Sequence, residues 1–306
     1  MPNWNEVLAE LEGQKKGPHD LIRAKYLKEL HHHTGRNVLI YFSGWLQKPN
    51  LHEPGLFSIS DADKTGFMTC SHGLQRSKGL DILLHTPGGD VAATESIIEY
   101  LHSLYDGNIR AIIPQMAMSG GTLIALSCKQ IVMGRQSSLG PVDPQIGGMP
   151  AQGIIEEFTK AAKEIHDDPT AAHVWQPIIA KYWPTLITSC QHAIDWSDRL
   201  LSQFLTNCMF AADKKEERDK KIADIAEQLG KQSTSKSHNR HISSSTAKKL
   251  GISVVDLEDD QRLQDLVLTL HHALTITCAQ TGAVKIIENH QSVGYINQIH
   301  QVNQPT

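Results

Sequence analysis

The chain has 306 residues, enough to bury a full core as one large domain or two small ones. Its net charge of −4 leaves no electrostatic footprint for nucleic acid. The five cysteines (Cys70, Cys128, Cys190, Cys208, Cys278) are scattered and odd in number, which argues against a disulfide framework or a four-cysteine zinc site and for a reducing compartment.

Met1 to Gly17 contains no apolar h-region, so no signal peptide is expected. Residues 19–34 read as a helix ending in His31-His32-His33-Thr34-Gly35, and Asn37 to Phe42 as a strand. Ser60 to His72 reads as a short helix. Leu80-Asp81-Ile82-Leu83-Leu84-His85 is an apolar run that ends in Thr86-Pro87-Gly88-Gly89. Ile97, Ile98, Leu101, Leu104 and Tyr105 then recur at helical spacing, and Asp106-Gly107-Asn108 closes that helix. Ile109 to Ile113 repeats the apolar run, and Pro114-Gln115-Met116-Ala117-Met118-Ser119-Gly120-Gly121 opens the next helix. Gly88 and Ser119 stand about one crossover unit apart, roughly 30 residues. Gln130 to Met133 is a third strand of this series. Right-handed crossovers lay such strands parallel, with both helix starts at one edge of the sheet. The fold class is therefore α/β in the first half.

Ala111 to Cys128 carries no charge, but Pro114, Gln115, Ser119, Gly120 and Gly121 interrupt it. A buried strand followed by a buried helix fits it better than a membrane span. Ser137 to Gln145 is rich in Pro and Gly and reads as a loop at the same edge. From Ala151 the pattern is helical for about eighty residues. Asp213 to Lys221 is a charge run on a solvated helix face. Lys231 to Ser237 reads as a mobile polar loop, Ser243 to Leu250 and Asp259 to Thr277 as helices, and the tail after Lys285 as weak strand.

Ser119 has two readings. As an ordinary N-cap it would simply start a helix. As a nucleophile it gains from Gly120-Gly121, which let the backbone approach a substrate, and from the helix start, which favours developing negative charge. The N–H groups of Gly88 and Gly120 are the expected oxyanion pair. The general base is open between three candidates. His238 could act with Asp143 orienting it; His241 could replace His238; or Lys160 or Lys163 could reach the serine as a neutral amine. The chain has 17 histidines, yet His31-His32-His33 and His271-His272 are consecutive and no H-E-x-x-H or paired C-x-x-C string occurs, so no metal is expected. No nucleotide-binding glycine loop occurs either, so no cofactor is expected, and any ATP-driven unfolding would need a partner.

His85-Thr86-Pro87-Gly88-Gly89-Asp90, Pro114 to Thr122 and Ser138 to Gln145 together resemble the serine dehydrogenase proteinase family, of the Clp-protease/crotonase fold and near signal peptide peptidase A. The likeness runs from about Thr34 to His290. It implies a spiral ββα core, serine peptidase activity on peptides or proteins, a homo-oligomer, Ser119 as nucleophile and Gly88 in the oxyanion hole. The Clp histidine would fall near Asp143 and the Clp aspartate near His238 or Asn239, so a triad here needs the two exchanged. The signal peptide peptidase A relatives instead imply a lysine base, which keeps Lys160 in play. On this reading residues 1–35 are an N-terminal helical segment and 36–150 the Clp/crotonase-like α/β core. Residues 151–306 are a helical region completing the same domain and supplying oligomer contacts. A cytoplasmic protein without a membrane span is expected. Two other functions share the frame: a crotonase-like acyl-CoA enzyme in which the serine is incidental, and a non-catalytic oligomeric scaffold that binds peptides.

Overall fold

The computed structural model describes residues 17–231 and 240–299. The signal-peptide reading of the first residues, most of the polar loop after Lys231, and His238 with Asn239 lie outside the described residues.

The chain opens with α1 (Pro18–Thr34), β1 (Asn37–Ser43), α2 (Asp61–Ser71), β2 (Leu80–His85) and α3 (Val91–Tyr105). It continues with β3 (Ile109–Ile113), β4 (Met116–Ala117), α4 (Gly120–Leu126), β5 (Gln130–Met133) and β6 (Ser138–Leu139). A hairpin, β7 (Gln145–Ile146) and β8 (Met149–Pro150), leads into α5 (Ala151–Asp167), α6 (Ala172–Ile179), α7 (Leu186–Phe204) and α8 (Lys215–Ala226). The last part holds β9 (Ile242–Ser243), α9 (Ser244–Lys249), β10 (Val254–Asp256), α10 (Gln261–Gln280), β11 (Ala283–Asn289) and β12 (Gly294–Gln298).

A seven-stranded sheet in the order β10-β5-β3-β2-β1-β11-β12 is the centre of this mixed α/β fold. Its first five strands are parallel; β11 and β12 join antiparallel at the β1 side. Side chains alternate across the pleat. Leu39, Tyr41, Ile82, Leu84, Ala111 and Ile113 pack on one face with Phe67, Ile97 and Ile124 of α2, α3 and α4. Val38, Ile40, Phe42, Leu83, Ile112 and Val132 pack on the other with Leu27 and Leu30 of α1 and Leu266 and Leu270 of α10. With both faces covered, the strands read as continuous apolar runs. A separate small cluster, Ala151, Ile154, Leu186, Cys190 and Ile194, holds α5 to α7.

Two sequence expectations change. The part after residue 150, read as a helical region apart from weak strand after Lys285, supplies three strands to the central sheet: β10, which the sequence does not lead one to expect, and β11 and β12 in the tail. The Pro- and Gly-rich stretch around Ser138 is not wholly irregular, because Ser138 and Leu139 pair with β4 on one side and β9 on the other. Both departures rest on strand partners distant in sequence, which local composition does not encode.

Three buried histidines give the fold a pH dependence. Burial pushes His85 well below its ordinary value and His271 down to about 3. Burial, then the neighbouring His31, takes His290 to about 4. Each binds its proton more readily unfolded than folded. Their contribution is therefore intact above about pH 6.5 and is lost as the pH falls toward 3. At pH 5, His271 and His290 should each remove about 2 kcal/mol of stability relative to pH 7. Urea midpoints measured at both pH values check this, and His271→Leu should flatten the slope. Equal midpoints would contradict it.

Candidate active site

The turn after β2 and the turn after β4 are stitched together by the backbone. Thr86 N–H donates to Met116 O at 3.2 Å, and Met118 N–H donates to Thr86 O at 3.0 Å. On the other side Ile59 N–H donates to Gly88 O at 2.8 Å, and Asp90 N–H to Ile59 O at 2.9 Å. The glycine loop is thus held between Ile59 and the serine turn. Gly88 has φ +95°, and a Cβ there would lie 2.6 Å from Ser119 Cβ and 2.7 Å from Met118 O, so only glycine fits. A Cβ on Gly121 would meet Thr86 Cγ2 at 2.4 Å, which explains why α4 can pack so close to the turn.

Ser119 has φ 49° and ψ −116°, a conformation a non-glycine residue adopts only at a cost of about 1–3 kcal/mol. It stands at the N-cap of α4, yet its hydroxyl makes no capping bond. Ser119 is half-buried and its side chain does not serve as a cap.

The two amides of the glycine loop differ in their partners. Gly88 N–H is already engaged, donating to Thr86 Oγ1 at 3.1 Å. Gly89 bridges Ile59 in parallel through Gly88 O and Asp90 N–H, so its own N–H faces away from Ile59, and its nitrogen lies 3.5 Å from where a Gly120 Cβ would stand. Among the described residues neither Gly89 N–H nor Gly120 N–H has an acceptor. The sequence signal for Gly89 was the second glycine of the pair, which a simple turn does not require.

Ser119 sits between two clefts. The first, about 390 Å³, is lined by Gly88, Gly89, Asp143, Gln145, Leu123 and Trp196 among others. The second, about 330 Å³, is lined by Trp45, Leu46, Pro87, Met116, Met118 and His241. Asp143 is buried, and Gln145 Nε2 donates to its Oδ2 at 3.1 Å. His241 arrives through the pairing of β9 with β6, and its Nδ1 lies 2.9 Å from Ser138 Oγ. Ser119 therefore shares one cleft with Gly88, Gly89 and Asp143 and the other with His241, and Gly120 follows it in the chain. Lys160 is not among them: it lines neither cleft, its side chain is 66% exposed, and it lies 3.8 Å from Glu164 on α5. Lys163 is exposed on the same helix. His238 lies outside the described residues, so its pairing with Asp143 has no geometry to report. The Trp45–Leu46 wall and the Ser138–His241 contact carried no local sequence signal.

Among the described residues no group of three or more His, Cys, Asp or Glu side chains could hold a metal ion. Among the same residues no helix is long and apolar enough to cross a membrane.

Ser119, strained and without a cap bond, thus stands beside the Gly88-Gly89 loop at the rim of a largely parallel sheet. Residues 57–182 match the family of ClpP-like SDH-type serine proteinases, which shows the resemblance carried by the three motifs over that segment. The chain is also 33% identical over 150 residues to Uncharacterized protein MJ0137 of Methanocaldococcus jannaschii, covering 49% of this chain and 52% of the relative. Uncharacterized protein MJ1495 of the same organism is 33% identical over 175 residues, covering 57% of this chain and 51% of the relative. The chain spans about half the length of these curated relatives.

Proposed function

We propose that this protein is a serine peptidase that cleaves peptides or proteins through an acyl-enzyme on Ser119. The observation that carries the reading is the strained Ser119, its hydroxyl off the helix cap and its backbone against the Gly88-Gly89 loop. Ser119 Oγ attacks the scissile carbonyl carbon. The oxyanion forms between Gly89 N–H and Gly120 N–H, where losing one donor typically costs about 3–4 kcal/mol of transition-state stabilisation. His241 takes the Ser119 proton and passes it to the departing amine, and Ser138 Oγ holds its ring. Water then hydrolyses the acyl-enzyme. Asp143 lines the acyl side of the site. On the same reading the core follows the ββα spiral of the Clp/crotonase fold, residues 151–306 complete the same domain, and the working form is a homo-oligomer.

Intact-mass spectrometry after a fluorophosphonate probe tests the nucleophile. One adduct on the Ser119 peptide is expected; an acyl-CoA enzyme or a peptide-binding scaffold of the same fold would show none. A peptide ester assay on three variants chooses the base. His241→Ala should lose about 10²- to 10⁴-fold in rate, while Lys160→Ala stays near wild type. Retained activity in His241→Ala with loss in His238→Ala would move the base to His238 and its partner Asp143.

A further inference from the structure

The two clefts at Ser119 differ in what they hold, and that difference gives the substrate a direction. Gly88 and Gly89 line the first cleft and not the second, so the carbonyl oxygen and the acyl part lie on the first side. His241 lines the second cleft and not the first. A general base hands its proton to the leaving amine, so the amine departs on the histidine side. The second cleft therefore receives the residue that follows the scissile bond. Its walls are apolar, Trp45, Leu46, Pro87, Met116 and Met118, and among the described residues His241 is the one basic side chain that lines it.

Trp45 is held in place from behind. Its ring stacks on His85 at 4.5 Å, and His85 stacks on Phe42 at 4.6 Å. His85 is fully buried, and neither of its ring nitrogens has a hydrogen-bond partner among the described residues. Burial keeps it uncharged, so it acts as one more aromatic plate. The wall is pre-organised, which favours binding a side chain over collapsing.

We propose that the second cleft is a leaving-group subsite that selects a large apolar residue, such as leucine, methionine or phenylalanine, immediately after the scissile bond, with Trp45 and Leu46 as its specificity-determining residues. This rests on the acyl-enzyme reading above and extends it to substrate class. Full burial of such a side chain corresponds to a preference of roughly ten- to a hundredfold over glycine.

Acyl transfer isolates the subsite. A peptide methyl ester acylates Ser119 and releases only methanol, leaving the second cleft empty. An added amino-acid amide then attacks the ester carbonyl, the bond to Ser119 Oγ breaks, a new peptide bond forms, and His241 returns the proton to the serine. The ratio of aminolysis to hydrolysis is read for glycinamide, lysinamide, leucinamide and phenylalaninamide. Leucinamide and phenylalaninamide should exceed glycinamide by at least tenfold in the wild type. Trp45→Ala should bring that selectivity, taken within the variant, close to one, and Trp45→Phe should keep most of it. Leu46→Asp, at a residue 43% exposed, should turn the preference toward lysinamide while the protein stays folded. Equal partitioning among acceptors in the wild type, or an undiminished apolar preference in both Trp45→Ala and Leu46→Asp, would overturn the subsite while leaving the peptidase standing. Absence of any acyl-enzyme, seen as no fluorophosphonate adduct, would overturn the peptidase reading and the subsite with it.

Discussion

Ser119→Ala is expected to lower kcat on a peptide substrate by about 10⁶-fold, the scale seen when the nucleophile of a serine peptidase is removed, and to abolish fluorophosphonate labelling. The loss should come without loss of fold. Ser119 Oγ caps no helix, and alanine is no worse than serine at φ 49°. The unfolding free energy should therefore stay within about 0.5 kcal/mol of wild type. Ser119→Gly, equally inactive, should be more stable, because glycine relieves a backbone strain of about 1–3 kcal/mol at such angles, less the entropy it adds to the unfolded chain. Urea denaturation of both variants beside the activity assay separates the effects. A labelled Ser119→Ala protein would remove the serine from the chemistry. A glycine variant less stable than alanine would mean that the strained turn is not what constrains the site.

The second large effect lies behind the glycine loop. Lys285 and Asp63 form an ion pair with side chains 3% and 0% exposed, the nitrogen 2.8 Å from Oδ1. Lys285 Nζ also donates to Ser58 O at 2.7 Å. Asp63 Oδ2 accepts from Tyr41 OH at 2.9 Å and from Ser60 N–H at 2.9 Å. Ser58 and Ser60 flank Ile59, the residue whose backbone holds Gly88 and Asp90. The pair thus supports the fold and, through one residue, the amide that would face the oxyanion. Removing one partner leaves a buried charge uncompensated, which costs about 3–5 kcal/mol. Lys285→Met should show that loss in urea unfolding. Its folded fraction should also turn over more slowly, as Gly88-Gly89 loses its backing. The double variant Lys285→Met/Asp63→Leu should recover most of the stability, since replacing both charges by apolar groups is often neutral. A single variant within 1 kcal/mol of wild type would show that water reaches the pair.

Much of the frame is legible in the sequence. The apolar runs at Asn37, Leu80, Ile109 and Gln130 are strands because strands covered on both faces need little polarity. The helix read over 60–72 begins with a capping box in which Ser60 and Asp63 serve each other's backbone. The glycine pair and the serine turn were visible because close backbone approach restricts residue type, and that restriction is written locally as Gly88-Gly89 and Gly120-Gly121. Ser138 and Leu139 were not legible as strand, since their partners at 116–117 and 242–243 lie far away in the chain.

Residue type and local spacing settled that an α/β sheet ends in two facing turns with a serine in one of them. They pointed to Gly88 as an oxyanion donor but not to its surroundings, in which Gly88 N–H donates to Thr86 Oγ1 while Gly89 N–H has no acceptor among the described residues. They also left open which basic group shares its clefts: Lys160 stands out in solvent on α5, while a three-strand ladder delivers His241 beside Ser138. Direction and proximity belong to the packed chain, since they depend on contacts between residues that no short window contains.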